Sequence, residues 1–335
     1  MAVATVSALT ACSQSDEGPK ENVPTVTPAT AAQSPASQEA TAGTVTPTVP
    51  AKSVVVAHAP GSQVAVLSND GKSMQIFSSP GGPSALPPKV VQVPGLVDLV
   101  ASGEGFVGVS PTGVVRVNTA GVVTEQQANL AGASAVAVDT KNRVLVGTDR
   151  GHVLVLDEAG KQLKDIGGFV RVDNITVAPA SAGELAGQVV VLDRAQSAVA
   201  PVDIDTGELK AALRAGDGAT ESTVDDYGRV LVSGTRNNQV LAFYGQPIMM
   251  RLRAPVAESP YALAFDNQRK LLWVSTTANN EVTAYDLSTG EAIEKHRFAS
   301  VPQVTSIDVD PASGNLLLVS GRDGALQVVT PDNVK

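Results

Sequence analysis

The sequence predicts an all-β chain, a seven-bladed β-propeller of four-stranded antiparallel blades preceded by a disordered tether. Three observations predict it. A Val/Leu-rich strand recurs seven times at nearly even spacing, further short strands and polar turns flank each copy, and no long helical period follows residue 50.

The copies begin at Val64, Phe106, Val144, Val189, Val230, Leu272 and Leu316, so successive starts lie 42, 38, 45, 41, 42 and 44 residues apart. Around the sixth copy the pattern reads as four strands: Tyr261 to Asp266, Lys270 to Ser275, Glu281 to Leu287 and Glu291 to Phe298. Four short strands in a unit of about 40 residues is the signature of a propeller blade. The turns between first and second strands recur as 139–143, 225–229 and 266–269, where Asp, Asn and Gly suit tight turns for local backbone reasons. Composition agrees, with 43% hydrophobic residues, only 3% aromatic, and 30 Gly and 21 Pro spread along the chain.

The stretch 273–290, which ends Asp286-Leu287-Ser288-Thr289-Gly290, resembles the repeat of YVTN/YncE-type propellers. A second copy of that ending stands at Asp203-Ile204-Asp205-Thr206-Gly207, and shortened ones stand at 157–160 and 118–121. The resemblance spans about residues 53–335 and implies the fold, but hardly a function. The final copy ends without a fourth strand, so Val45 to Val49 or a neighbouring piece is expected to supply it. Pro47 restricts that piece to an edge position.

The organisation expected is therefore 1–12 as a signal remnant, 13–50 as a disordered tether and 51–335 as the propeller. Leu9-Thr10-Ala11-Cys12 closes a short apolar run and resembles the bacterial lipobox, which implies a lipid on Cys12. No Lys or Arg precedes that run, a departure from the usual signal pattern. Residues 13–50 are dominated by Ser, Thr, Pro and Ala and hold little apolar surface to offset the entropy of ordering. An extracytoplasmic, lipid-anchored monomer on the cell membrane is the expectation, with lipidation at Cys12, the chain's one cysteine.

The formal charge of −9 argues against a nucleic-acid partner, since phosphate neutralisation needs clustered Lys and Arg. A single cysteine excludes a disulfide framework or a Cys-based zinc site. His58, His152 and His296 fall in different blades without metal-ligand spacing, so they read as surface or satisfied strand residues and no metal is expected. The string Gly103-Glu104-Gly105-Phe106-Val107-Gly108 matches a dinucleotide fingerprint but leads into a strand, and reads as a turn. Asp203, Asp205 and Glu208 read as turn chemistry rather than a calcium loop. No cofactor motif and no catalytic residue stands out.

One constellation remains. The turns after the second strands should share one end of the ring, and they carry Arg150, Arg194, Arg236 and Arg322, with Asn237, Asn238, Asn279 and Asn280 close by in sequence. Convergent guanidinium and amide groups suit a carboxylate, a phosphate or a sugar-like ligand. The bland alternative is that each Arg pairs with its neighbouring Asp. The leading expectation is thus a non-catalytic binding or scaffold module whose partner is an envelope protein, a glycan or a small anion. A lactonase-like hydrolase with its site at one channel mouth is the alternative.

Overall fold

The computed structural model describes residues 23–37, 39–57, 62–78, 80 and 87–334. Cys12 and His58 lie outside the described residues. Seven antiparallel sheets follow one another along the chain, at 51–92, 98–127, 133–166, 174–214, 219–255, 260–299 and 304–329, here blades 1 to 7. Within each, strands pair in chain order from the innermost outward; blade 6 is Pro260–Asp266, Leu271–Thr276, Glu281–Asp286 and Ile293–Ala299. This is the seven-bladed propeller expected.

The second strands are apolar through their centres, with polar residues only towards their ends, because both faces of each blade are covered. Side chains alternate across a strand, so Leu316 and Leu318 join Trp273 and Val282 between blades 6 and 7, while Leu317 and Val319 join Val54 and Val66 between blades 7 and 1. In blade 3, Leu145 faces blade 4 and Val144 and Val146 face blade 2. Each of the seven junctions between neighbouring blades is one such cluster.

The turns follow the local chemistry of Asp and Gly. Asp139, Asp225 and Asp266 each end an innermost strand and accept two backbone N–H groups of the turn that follows. Asp203 accepts the N–H groups of Asp205 and Thr206 and Gly207 takes a left-handed conformation, so the Asp-x-x-Thr-Gly ending is a hairpin turn. Gly103 and Glu104 join the strands Asp98–Ser102 and Gly105–Ser110 as a two-residue turn, with no helix after them. Blade 4 departs from the pattern. A 3-10 segment, Ala180–Leu185, lengthens its first connection, which accounts for the 45-residue spacing, and its outer strand is split into Glu208–Leu209 and Leu213–Arg214.

The ring closes through its N-terminal side. Thr44–Pro47 pairs antiparallel with Ala325–Val329, from Thr44 opposite Val328 to Pro47 opposite Ala325, and becomes the outermost strand of blade 7. Pro47 sits on the free edge, where a missing N–H costs no ladder bond. Gln327, fully buried, donates to the Ala42 carbonyl at 2.8 Å and accepts the Val301 N–H at 2.8 Å, tying the incoming chain to the junction of blades 6 and 7.

Gly43 turns the chain into that strand with φ +70°, and a Cβ there would lie 2.1 Å from the Val328 carbonyl oxygen. Gly95 has φ +73° with nothing within 4 Å of its would-be Cβ. Gly95→Ala should cost only the left-handed penalty, about 1–2 kcal/mol. Gly43→Ala should cost clearly more in urea unfolding, and equal losses would mean that the closing strand contributes little.

Candidate functional site

The innermost strands enclose a channel along the ring axis. They start at the end where the turns after the second strands lie, and there several bulge: the pairing register slips at 51/53, 133/135, 219/222, 260/263 and 304/306. A bulge turns an extra side chain out of the ladder. Lys52, Glu221, Tyr261 and Thr305 all occupy such positions, and all four line the channel, a cavity of 830 Å³.

Glu221 is the centre of this mouth. Burial lifts its carboxyl to about 7, against the opposing pull of the Arg194 guanidinium and a hydrogen bond donated by the Tyr261 hydroxyl. The Glu221 charge, with burial, raises the Tyr261 hydroxyl in turn, so the phenol stays a donor. Across the mouth, burial lowers the Lys52 ammonium against the charges of Asp98 and Asp70, and its Nζ donates to the Leu96 carbonyl at 3.0 Å.

Two further carboxyls in the wall are structural. Asp98 accepts the N–H groups of Leu99 and of Val136 in the next blade, at 2.8 and 2.9 Å. Asp308 accepts those of Val309 and of Val56 across the closure, both at 2.8 Å. Burial pushes both carboxyls up, Asp308 to about 6.

The arginines expected at this end are present, but most of their donors are turned elsewhere. From residue 23 the expected tether lies against the disc, in an arc over blades 4 to 7 at the same mouth. Arg194 donates to the Ala29 carbonyl, Arg236 to Thr27 at 2.6 Å and Arg322 to Ser34 at 2.6 Å. The segment is ordered from there despite its composition, because the disc supplies the hydrogen bonds that it cannot make to itself.

Arg236 also pairs with Asp217 and Arg322 with its neighbour Asp323. Arg194 does not pair with Asp193, whose carboxylate accepts the N–H groups of Val170, Arg171 and Gln196. Its Nε–H is buried without a partner among the described residues. Arg150 is exposed and does not reach the arc. Asn237 accepts the Asp217 N–H, and Asn279 bridges Thr276 and Glu281, so both brace their own loops. Asn280 instead reaches the arc, donating to the Pro35 carbonyl at 3.0 Å.

The sequence reading missed Lys52, Asp98, Glu221 and Tyr261. Its signal was the run of polar residues inside a first strand, Thr220-Glu221-Ser222-Thr223, where the second strands show none. His152 pairs with Asp165 at 2.6 Å, and His296 stacks near Trp273 with ring centroids 6.1 Å apart. Among the described residues no group of three His, Cys, Asp or Glu side chains could hold a metal ion, and no helix is long and apolar enough to cross a membrane. Lys141 and Arg143 pair with Asp205, which leaves the 203–208 turn without a cation loop.

No family model and no curated protein matches the sequence. Solved structures do match. The likeness is one of fold. The WD40 propeller domain of Doa1 superposes with a TM-score of 0.67 at 13% identity, covering 86% of this chain and 96% of that one. A streptogramin B lyase gives 0.68 at 11% identity over 85% and 95%. The Pan2 WD40 domain of Neurospora crassa gives 0.68 at 13% identity over 84% and 90%.

Because the Glu221 and Asp308 carboxyls are raised above their unfolded values, they contribute stability that is complete below about pH 4 and is lost as pH rises through about 7. Glu221→Gln should flatten this slope. In urea unfolding the variant should match wild type near pH 4.5 and exceed it at pH 8 by on the order of 2 kcal/mol, after allowing for screening by channel water. A parallel pH profile would show that Glu221 is not held in this way.

Proposed function

We propose that this chain is a non-catalytic binding module that takes a small polar ligand at the channel mouth flanked by the 23–37 arc, and that it is held on the outer face of a cell membrane through a lipid on Cys12. The observation that carries the binding reading is the set of bulged side chains: Glu221, Tyr261 and Lys52 project into a cavity of 830 Å³. That is the size of a small-molecule pocket, with a few placed polar groups on a rigid frame. The charges favour a particular class. Burial raises the Glu221, Asp98 and Asp308 carboxyls, and two cations, Lys52 and Arg194, share the cavity with them, so a ligand that presents hydroxyl groups, or an ammonium that draws the proton from Glu221, fits better than the multiply charged anion that the arginines alone suggest.

The anchor rests on the lipobox-like ending at 9–12 and the apolar run before it. The paired Asp-x-x-Thr-Gly endings support kinship with YVTN/YncE-like propellers. Two measurements test the proposal. Metabolic labelling with a fatty acid should mark wild type and leave Cys12→Ala unlabelled. In calorimetry, glucosamine should bind wild type and lose at least tenfold in affinity with Glu221→Gln, whereas preference for inorganic phosphate, or no binding of either, would overturn the site.

A hydrolase reading has one observation in its favour, a carboxyl near pH 7 beside a phenol and a guanidinium. Lactone hydrolysis by wild type that Glu221→Gln abolishes would establish it in place of simple binding.

A further inference from the structure

The segment that arcs over the turns of blades 4 to 7, beside the channel mouth, is held as a bound peptide would be. Its main chain does most of the bonding. The N–H of Val26 donates to the Ala195 carbonyl at 2.7 Å, that of Ala32 to the Ser259 hydroxyl at 3.0 Å and that of Ser34 to the Gln303 side chain at 2.9 Å. The carbonyls of Thr27, Ala29, Ala32, Ser34 and Pro35 accept from Arg236, Arg194, Gln303, Arg322 and Asn280. These contacts come from loops of blades 4, 5, 6 and 7, whose geometry is set by blade packing.

Only two of its side chains are fully sunk. Ala29 is 5% exposed and Ser34 6%. Ala29 sits against Gly218, where an added Cβ would come within 3.0 Å of the Ala29 Cβ, and the Ser34 hydroxyl donates to the Thr277 carbonyl and accepts the Gln303 N–H, both at 2.7 Å. Pro24, Pro28 and Pro35 lie along the same stretch, which has no helix or strand of its own. A proline-containing extended chain loses little entropy when it docks, and main-chain contacts with a few small pockets are how such chains are read.

We propose that this face of the disc is a recognition groove for an extended peptide of another protein, with small residues at the two sunken positions, and that residues 23–37 fill the groove in cis. The groove's donors read the main chain, so the partner is defined by its extended shape, its prolines and small side chains five residues apart. The cis segment competes at the high effective concentration of a tethered ligand. Wild type therefore takes a second peptide weakly. A chain whose own segment is dislodged takes it well. This inference does not rest on the channel ligand: the groove is read by loops and not by Glu221, and only Arg194 and Gln303 belong to both, lining the cavity while bonding to Ala29 and to Ala32 and Ser34.

The test uses the full chain and a fluorescein-labelled peptide of residues 23–37 in fluorescence anisotropy. The double variant Ala29→Glu, Ser34→Tyr alters only the segment and leaves the blade cores intact, and a thermal melt checks the fold. Its Val26, Ala32 and Ser34 amides should lose hydrogen-exchange protection, and it should bind the peptide at least tenfold more tightly than wild type. A peptide with the same two substitutions should not bind. Released amides without gained binding, retained protection in the variant, or equal binding of the substituted peptide would each overturn the proposal.

Discussion

Everything in this molecule depends on the burial of both faces of every blade. A strand such as Leu316–Ser320 sends alternate side chains into two different cores, and removing a neighbour would expose half of them. At about 25 cal/mol per Å² of apolar surface, that burial is the main favourable term available to a chain of short strands. It also explains why no sheet is stable alone and why the ring must close. Blade 7 meets this need by recruiting Thr44–Pro47, so the two ends of the domain are joined by backbone hydrogen bonds as well as by the blade 7 to blade 1 core.

The channel follows from the same packing. Innermost strands converge on the axis without pairing with one another across it, so some of their N–H groups are satisfied by side chains of the adjacent blade. Asp98, Asp308 and Ser306 perform that service. The bulges that reconcile the strands with the crowded mouth then turn Lys52, Glu221 and Tyr261 inward. A polar cavity is therefore a product of the architecture. Within it, Glu221 is placed beside Arg194 and Tyr261.

Fold and site were not equally legible. The repeat spacing, the Asp-led turns and the closing strand near Pro47 could all be read, because each is a local pattern with one physical meaning. The turn arginines could be placed at one end for the same reason. Their partners could not, since the contact of Arg322 with Ser34 spans 288 residues and leaves no mark in local sequence. Composition misled at residues 23–37, where Ser, Thr, Pro and Ala suggested a free chain. The hydrogen bonds that order it come from loops that exist only after the ring has formed. Bulge positions were illegible as well, because a one-residue slip depends on the partner strand.

The order in which the N-terminal side meets the disc has a mechanical consequence. Tension on residue 23 reaches the Val26 contact with Ala195 first, then Thr27 and Ala29, then Ser34 and Pro35, and only afterwards Ala42 and the ladder at Thr44–Pro47. Pulled from that end, the arc would be loaded one contact at a time and would give way before the strand that locks the ring bears any load.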